Sequence, residues 1–443
     1  MTAKYKQLTA AVALSALLAS CSAFGGKGEK KVTPTVGNRV TILSTQSDTD
    51  IDPSLSSISV ILPAASVNAG WTQPGGNAAK APGHVALPEN LTRAWTASIA
   101  PASNRARYAS TPVVSNNRLF VIDTNAMVQA FDAATGAKLW STALETNKDG
   151  RDARFGGGVS VDGDIVYATN GVGDVAAIEA ATGAIKWTKR PAGPLRGAPT
   201  ISNGNAYVMT QDNQIYALRI GTGDIEWNEA GPIGLAGIFG VAAPAAGAGT
   251  VIAGYSTGEL AAYRYENGRS LWNAALARTR MSTSVSSLTD IDADPVIDRG
   301  RIFALGQGGR MASHELDTGR RIWEINIAGI STPAVVGEWV FAMTDNAKLL
   351  CISRSTGKVR WISQLQKYRG DKAKKGPIIW RGPVLAGNRL ISTNSEGQIW
   401  AVSTSDGTAS MIGETKGSIS VAPIVANNML YILDDNGKIT AYR

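Results

Sequence analysis

The sequence predicts an all-β chain folded as an eight-bladed β-propeller, and three observations carry that expectation. A Trp-marked unit recurs along the 349 residues from Trp95 to Arg443, about 44 residues per unit if eight are counted. Each unit joins stretches of period-two alternation to a tight Thr-Gly type of hairpin, as short half-buried strands require. The two ends of the repeat region are also complementary. Trp95 lies on a strand that lacks its preceding turn, and Lys438–Arg443 is a strand that lacks the following one.

Taken in order, the chain begins with an address. Lys4 and Lys6 precede an apolar run from Leu8 to Leu18, and the segment ends Leu18-Ala19-Ser20-Cys21. A run of about eleven apolar residues is too short for a bilayer core that needs about twenty, so residues 1–20 read as a secretory signal peptide. The Leu-Ala-Ser-Cys ending resembles the lipobox of bacterial lipoproteins. That resemblance implies removal of the signal, acylation of Cys21 (palmitate among the chains) and a lipid-anchored mature protein that does not span the bilayer. Ser22 follows the cysteine where an Asp would imply the inner membrane, so the outer membrane is the implied site. Residues 21–57 are polar and read as a flexible tether, and residues 58–90 as an extended segment lying on the propeller. Residues 91–443 are the propeller.

The repeat itself is explicit. Ala130-Phe-Asp-Ala-Ala-Thr-Gly-Ala-Lys-Leu-Trp140 recurs as Ala177-Ile-Glu-Ala-Ala-Thr-Gly-Ala-Ile-Lys-Trp187 and as Ala217-Leu-Arg-Ile-Gly-Thr-Gly-Asp-Ile-Glu-Trp227. Further copies end at Trp272, Trp323 and Trp361, and a worn one places Met411 where Trp belongs. With Trp95 these seven tryptophans are expected to pack between neighbouring sheets, each on its blade's outgoing strand. Asp132 is placed to cap the amides of its turn. Four short strands per unit bury their faces only against copies of themselves, so the ring must close. No Trp-Asp dipeptide occurs, which separates the pattern from WD40 repeats of similar period.

Composition narrows the chemistry. Two Cys and two His among 443 residues speak against a disulfide framework and a His-built metal centre. The net charge of +8 is spread along the chain, with a local run Lys367-Tyr-Arg-Gly-Asp-Lys372-Ala-Lys374-Lys375 that lacks aromatic interleaving, and no nucleic-acid partner is expected. Cys351 reads as a buried small hydrophobe, His314 as a variant strand residue, and Gly156-Gly-Gly158 as unrelated to a phosphate loop because no helix follows it. Pro112, Pro199, Pro295, Pro333, Pro383 and Pro423 are each expected to open the innermost strand of a blade.

The repeat units resemble the tryptophan-docking repeats of the pyrroloquinoline-quinone dehydrogenase superfamily, over the propeller alone. The vicinal Cys pair of that superfamily is missing here, and no insertion is long enough to roof a quinone. A lipobox followed by an eight-bladed propeller without a catalytic constellation is similar to the BamB family, lipoproteins of the outer-membrane β-barrel assembly (BAM) machinery. Leu195-Arg196-Gly197-Ala198-Pro199 is similar to the family's Leu-Arg-Gly…Ala-Pro loop, and Ser287-Leu-Thr-Asp290-Ile-Asp292-Ala-Asp-Pro295 to its Ser-Asp-x-Asp…Pro loop, with Thr289 and Asp294 as departures. The resemblance implies a non-enzymatic scaffold on the periplasmic face of the outer membrane, with no cofactor and no metal. It further implies that Leu195, Arg196, Asp290 and Asp292 contact the periplasmic POTRA domains of BamA, the barrel subunit, and that unfolded outer-membrane proteins are further partners. The alternative reading is a quinoprotein-like dehydrogenase or a periplasmic ligand-binding propeller. Both loop motifs occupy the slot between one blade's outer strand and the next blade's inner strand, which puts them on one face. Loop residues there are expected to lie outside the stacked sheets and to tolerate substitution within about 0.5 kcal/mol.

Overall fold

The computed structural model describes residues 49–144, 156–232, 241–276, 290–370 and 372–443. The signal peptide 1–20, Cys21, residues 21–48 of the tether and Ser287–Thr289 of the second loop motif lie outside the described residues. Among the described residues there are eight four-stranded antiparallel sheets and one two-stranded hairpin, and no helix long and apolar enough to cross a membrane. Strands within a blade are lettered a to d from the axis outward. Blade 1 comprises Val113–Ser115, Arg118–Ile122, Met127–Asp132 and Lys138–Ala143, in that spatial order. Its b and c strands bury all but their end residues, whereas strand d alternates between exposed and half-buried positions, as an outer strand should.

Ring closure follows the complementarity of the chain ends. Arg93–Ser98 pairs antiparallel with Lys438–Tyr442 and becomes strand d of blade 8, with Trp95 opposite Ala441. Each c–d turn is built alike. In blade 1, Asp132 Oδ1 accepts from the amides of Ala134 and Thr135 at 3.0 and 2.8 Å, closing the turn locally.

The Trp of each blade docks on the c–d turn of the next blade. Trp227 Nε1 donates to Tyr265 O at 2.9 Å, and its ring lies between Tyr207 and Tyr263, with centroids 5.8 and 6.1 Å away. Trp95, Trp140, Trp187, Trp272, Trp323 and Trp361 make the same indole-to-carbonyl bond at 2.8–3.0 Å. The turn glycine is what admits the ring. Gly268 has φ +71°, and a Cβ there would come within 2.7 Å of Trp227. Gly268→Ala is therefore expected to cost about 2–3 kcal/mol, through the left-handed backbone and the displaced ring together, read as a lower guanidinium midpoint. Met411 breaks the series for a physical reason. Blade 8 draws its strands c and d from opposite ends of the chain, so it has no c–d turn to receive a ring, and Met411 is half exposed.

One detail differs from the sequence expectation, and one insertion had no expected form. Pro383 does not open its strand: strand a of blade 7 runs from Trp380 to Ala386, and a register shift falls between Arg381 and Val384. The basic run forms a separate hairpin, Tyr368–Gly370 with Lys375–Pro377, inserted before that strand. Its base is held by Arg369 on Glu396 and Lys367 on Asn346, while Lys372, Lys374 and Lys375 are exposed.

Residues 66–87 make one circuit of the channel. Asn68 O accepts from Asn427 in blade 8, Trp71 exchanges both backbone bonds with Val114 in blade 1, and Thr72 O accepts from Val161 in blade 2. Gln73 then makes both amide bonds to Ile201, Ala78 and Ala79 accept from Ala246 and Ile297, and Val85 bonds Leu385 and Gly387. This strap so reaches strand a, or the turn that follows it, in blades 8, 1, 2, 3, 4, 5 and 7. These contacts fall near the a–b turns, so the strap floors that end of the channel. Trp71, Lys80, His84 and Val85 are buried by it. The short a strands offer unpaired edges toward the axis, and an extended segment with its own free amides satisfies them.

Candidate partner-binding site

The connections from strand d of one blade to strand a of the next, together with the b–c turns, form the face opposite the strap. Leu195 and Arg196 lie on the connection into blade 3. Leu195 bridges Thr210, Arg196 N donates to Met209 O at 2.8 Å, and Gly157 N donates to Arg196 O at 2.9 Å. These backbone bonds fix the loop between blades 2 and 3. They also explain the glycine triplet: a Cβ on Gly156 would sit 2.4 Å from Leu195 O.

The Arg196 side chain reaches the end of strand b in blade 4 and the connection that follows that blade. Its Nη2 meets Asp290 Oδ1 at 2.8 Å and Asp292 Oδ1 at 3.5 Å, and its Nη1 donates to Gly254 O at 3.4 Å. Arg196 and Asp290 side chains are 1% and 2% exposed, so this is a fully desolvated pair. Arg196 Nε and Asp290 Oδ2 have no hydrogen-bond partner among the described residues. Asp292 accepts from Val241 N at 3.2 Å, Asp294 Oδ1 accepts from Ala243 N at 2.8 Å, and Asp294 N donates to Thr332 Oγ1 at 3.1 Å. Four successive connections are thereby tied together by side chains of three. Gly197 permits the closest approach, since a Cβ there would meet Val241 O at 2.1 Å.

This geometry corrects the expectation that these residues are dispensable for stability. Leu195, Arg196 and Asp290 are buried, and only Asp292 retains partial exposure. They hold the loop face from beneath. Exposed on the same loop and on the adjoining b–c turn of blade 3 are Gly193, Pro194 and Asp212. The two motifs do come together in space, as their shared slot implied. The roles of Val241, Ala243 and Thr332 were invisible in sequence, because a backbone amide or a lone hydroxyl carries no motif. The alternation Asp290-x-Asp292-x-Asp294 was the available signal, three carboxylates at strand spacing beside a compact Gly-Ala-Pro turn.

The Asp292 carboxyl is pushed up to about 6, chiefly by burial and then by the neighbouring Asp290 charge, against the pull of Arg196. A carboxyl raised in the folded state favours folding when protonated, so its contribution grows as pH falls from about 7 toward 4. Asp292→Asn should remove about 1–1.5 kcal/mol of the gain in stability between pH 7 and pH 5. Guanidinium unfolding of both proteins at the two pH values checks this, and parallel pH dependences would contradict it.

Elsewhere, sites considered in sequence are structural. Cys351 is fully buried and burial pushes its thiol well up. His314 stacks on Trp272 at 6.1 Å with its Nδ1 2.9 Å from Gly319 O. Among the described residues no group of three or more His, Cys, Asp or Glu is arranged to hold a metal ion.

Comparison with known proteins agrees with this architecture. The profile of the family described as outer membrane protein assembly factor BamB matches residues 124–363. The outer membrane protein assembly factor BamB of Yersinia pestis is 26% identical over 357 residues, covering 79% of this chain and 88% of the relative. The crystal structure of BamB from Moraxella catarrhalis superposes with a TM-score of 0.65 at 22% identity, covering 80% of this chain and 97% of that one. Quinohemoprotein alcohol dehydrogenase from Comamonas testosteroni also reaches 0.65, at 13% identity, covering 85% of this chain and 81% of that one. At these identities both structures speak to the propeller fold alone. The family profile spans more than half of the sequence, and the chain belongs to the outer membrane protein assembly factor BamB family.

Proposed function

We propose that this protein is a non-enzymatic scaffold of the outer-membrane β-barrel assembly machinery, lipid-anchored through Cys21 at the periplasmic face, and that its loop face binds the POTRA domains of BamA. Family membership supports the assembly role and the outer-membrane association. The observation that carries the binding surface is the Arg196–Asp290–Asp292 cluster, which together with Asp294 ties four neighbouring connections into one face at the cost of burying charge. Buried ion pairs are a poor route to stability, so their use here fits a surface whose shape must be held for a partner. Leu195, Arg196, Asp290 and Asp292 act in this reading as positioning residues, and Gly193, Pro194 and Asp212 as contacts.

Pull-down with isolated BamA periplasmic domains tests this beside a thermal melt of each variant. Pro194→Arg and Asp212→Arg should weaken capture by about 1–2 kcal/mol while leaving the melt unchanged. Undiminished capture by both would remove the loop face from consideration. The anchor has its own test: Cys21→Ala should accumulate as uncleaved precursor or lose membrane attachment, and normal processing with full retention would refute it.

A further inference from the structure

The channel above the strap encloses a cavity of about 620 Å³. Its floor is the strap at Trp71, Gly75 and Pro82, and its walls are largely apolar, from the inner strands and connections of blades 6, 7 and 8. Hydrogen-bonding capacity in this cavity is lopsided. The carboxylates that line it are engaged: Asp292 with Val241 N, Asp294 with Ala243 N, and Asp435 with Ser420 Oγ at 2.6 Å. Lys80 reaches Thr200 Oγ1 at 3.1 Å. The two guanidiniums are not engaged. Arg381 and Arg107 line the cavity with no hydrogen bond or ion pair among the described residues, and Arg381 Nε is shielded from solvent.

The unpaired cation is costly, which makes it informative. Burial pushes the Arg381 guanidinium down, and the fields of Asp292, Asp345 and Asp435 oppose this without any of them making contact. A planar fork of donors in apolar surroundings is matched by a planar acceptor pair. We propose that the central cavity binds a carboxylate carried on an apolar body, with Arg381 as its bidentate anchor and Arg107 at the mouth. The carboxylate can belong to a free small molecule or to an acidic side chain of a polypeptide entering from the loop face. The chemistry is shared, and the source is a matter for experiment.

Isothermal titration of the full-length protein in a nonionic detergent supplies the test. The probes are 4-phenylbutyrate against 4-phenylbutanamide, and acetyl-Leu-Glu-Leu-amide against its Gln analogue. At least one acid should bind about tenfold or more tightly than its uncharged partner, and Arg381→Gln should abolish that preference. Preference only in the small-molecule pair identifies a free ligand, and preference only in the peptide pair a protein segment. Equal affinities of acid and amide in both pairs, or no binding at all, overturn the proposal. Should Arg381→Gln fail to fold, Arg107→Gln at its exposed position should reduce the same preference severalfold, and the wild-type comparison stands without either variant.

Discussion

Truncation through residue 100 is expected to leave a chain that neither closes nor stays soluble. Two losses coincide. Strand d of blade 8 disappears, which strips Lys438–Tyr442 of its partner and exposes a long edge prone to pairing with other chains. The same cut removes Trp95 from the turn of blade 1 and the whole strap from the axis, where Trp71 and Val85 are 3% and 1% exposed. Each buried Trp alone is worth about 3–5 kcal/mol, and two of them approach the entire 5–15 kcal/mol that stabilises a typical domain. Deleting residues 66–87 alone keeps the ring hydrogen-bonded but unfloored, and should give a soluble protein of lower melting temperature. Expression, light scattering and thermal unfolding of the two deletions distinguish the contributions. A truncated chain that melts like the full one would mean that the ring does not depend on its first strand.

Arg196→Ala should be the most damaging single substitution in the loop face, at about 3–5 kcal/mol. The loss is not that of a surface salt bridge, because removing the guanidinium strands Asp290, whose side chain is 2% exposed, beside the half-buried Asp292. Compensation separates a stranded charge from lost packing. Arg196→Met with Asp290→Leu removes both charges and should recover most of the lost stability, since apolar replacements of a buried pair are often neutral or better. Guanidinium unfolding of the single and double variants measures the coupling. The double variant should still bind BamA domains less well than wild type if the cluster serves the shape of the face. Full binding by a stable double variant would reduce Arg196 to a packing residue.

The propeller was legible because its signals are local and repeated: alternation, turn glycine and Trp recur along the chain, so each copy corroborates the others. Even the missing Trp at Met411 was visible, though only the closed ring explains it, through a blade without a c–d turn. The strap carries no such repeated signal, because its bonds are backbone bonds to six blades and a lone Gln73 side chain to a seventh, and no side-chain pattern encodes them.

For the candidate site the sequence by itself showed that the two motifs share a face, since both fall at the same point of the repeat. It misplaced them in depth. Arg196 read as an exposed loop residue because loops usually are exposed and Arg usually is; only tertiary structure could show it buried against Asp290, 94 residues away. The same holds for the cavity, where Arg381 carries no motif and the carboxylates that line the cavity beside it find their donors elsewhere. Repetition and periodicity are properties of a chain and can be read along it. Depth, pairing and the absence of a partner are properties of what the fold brings together, and the tertiary structure alone decided them.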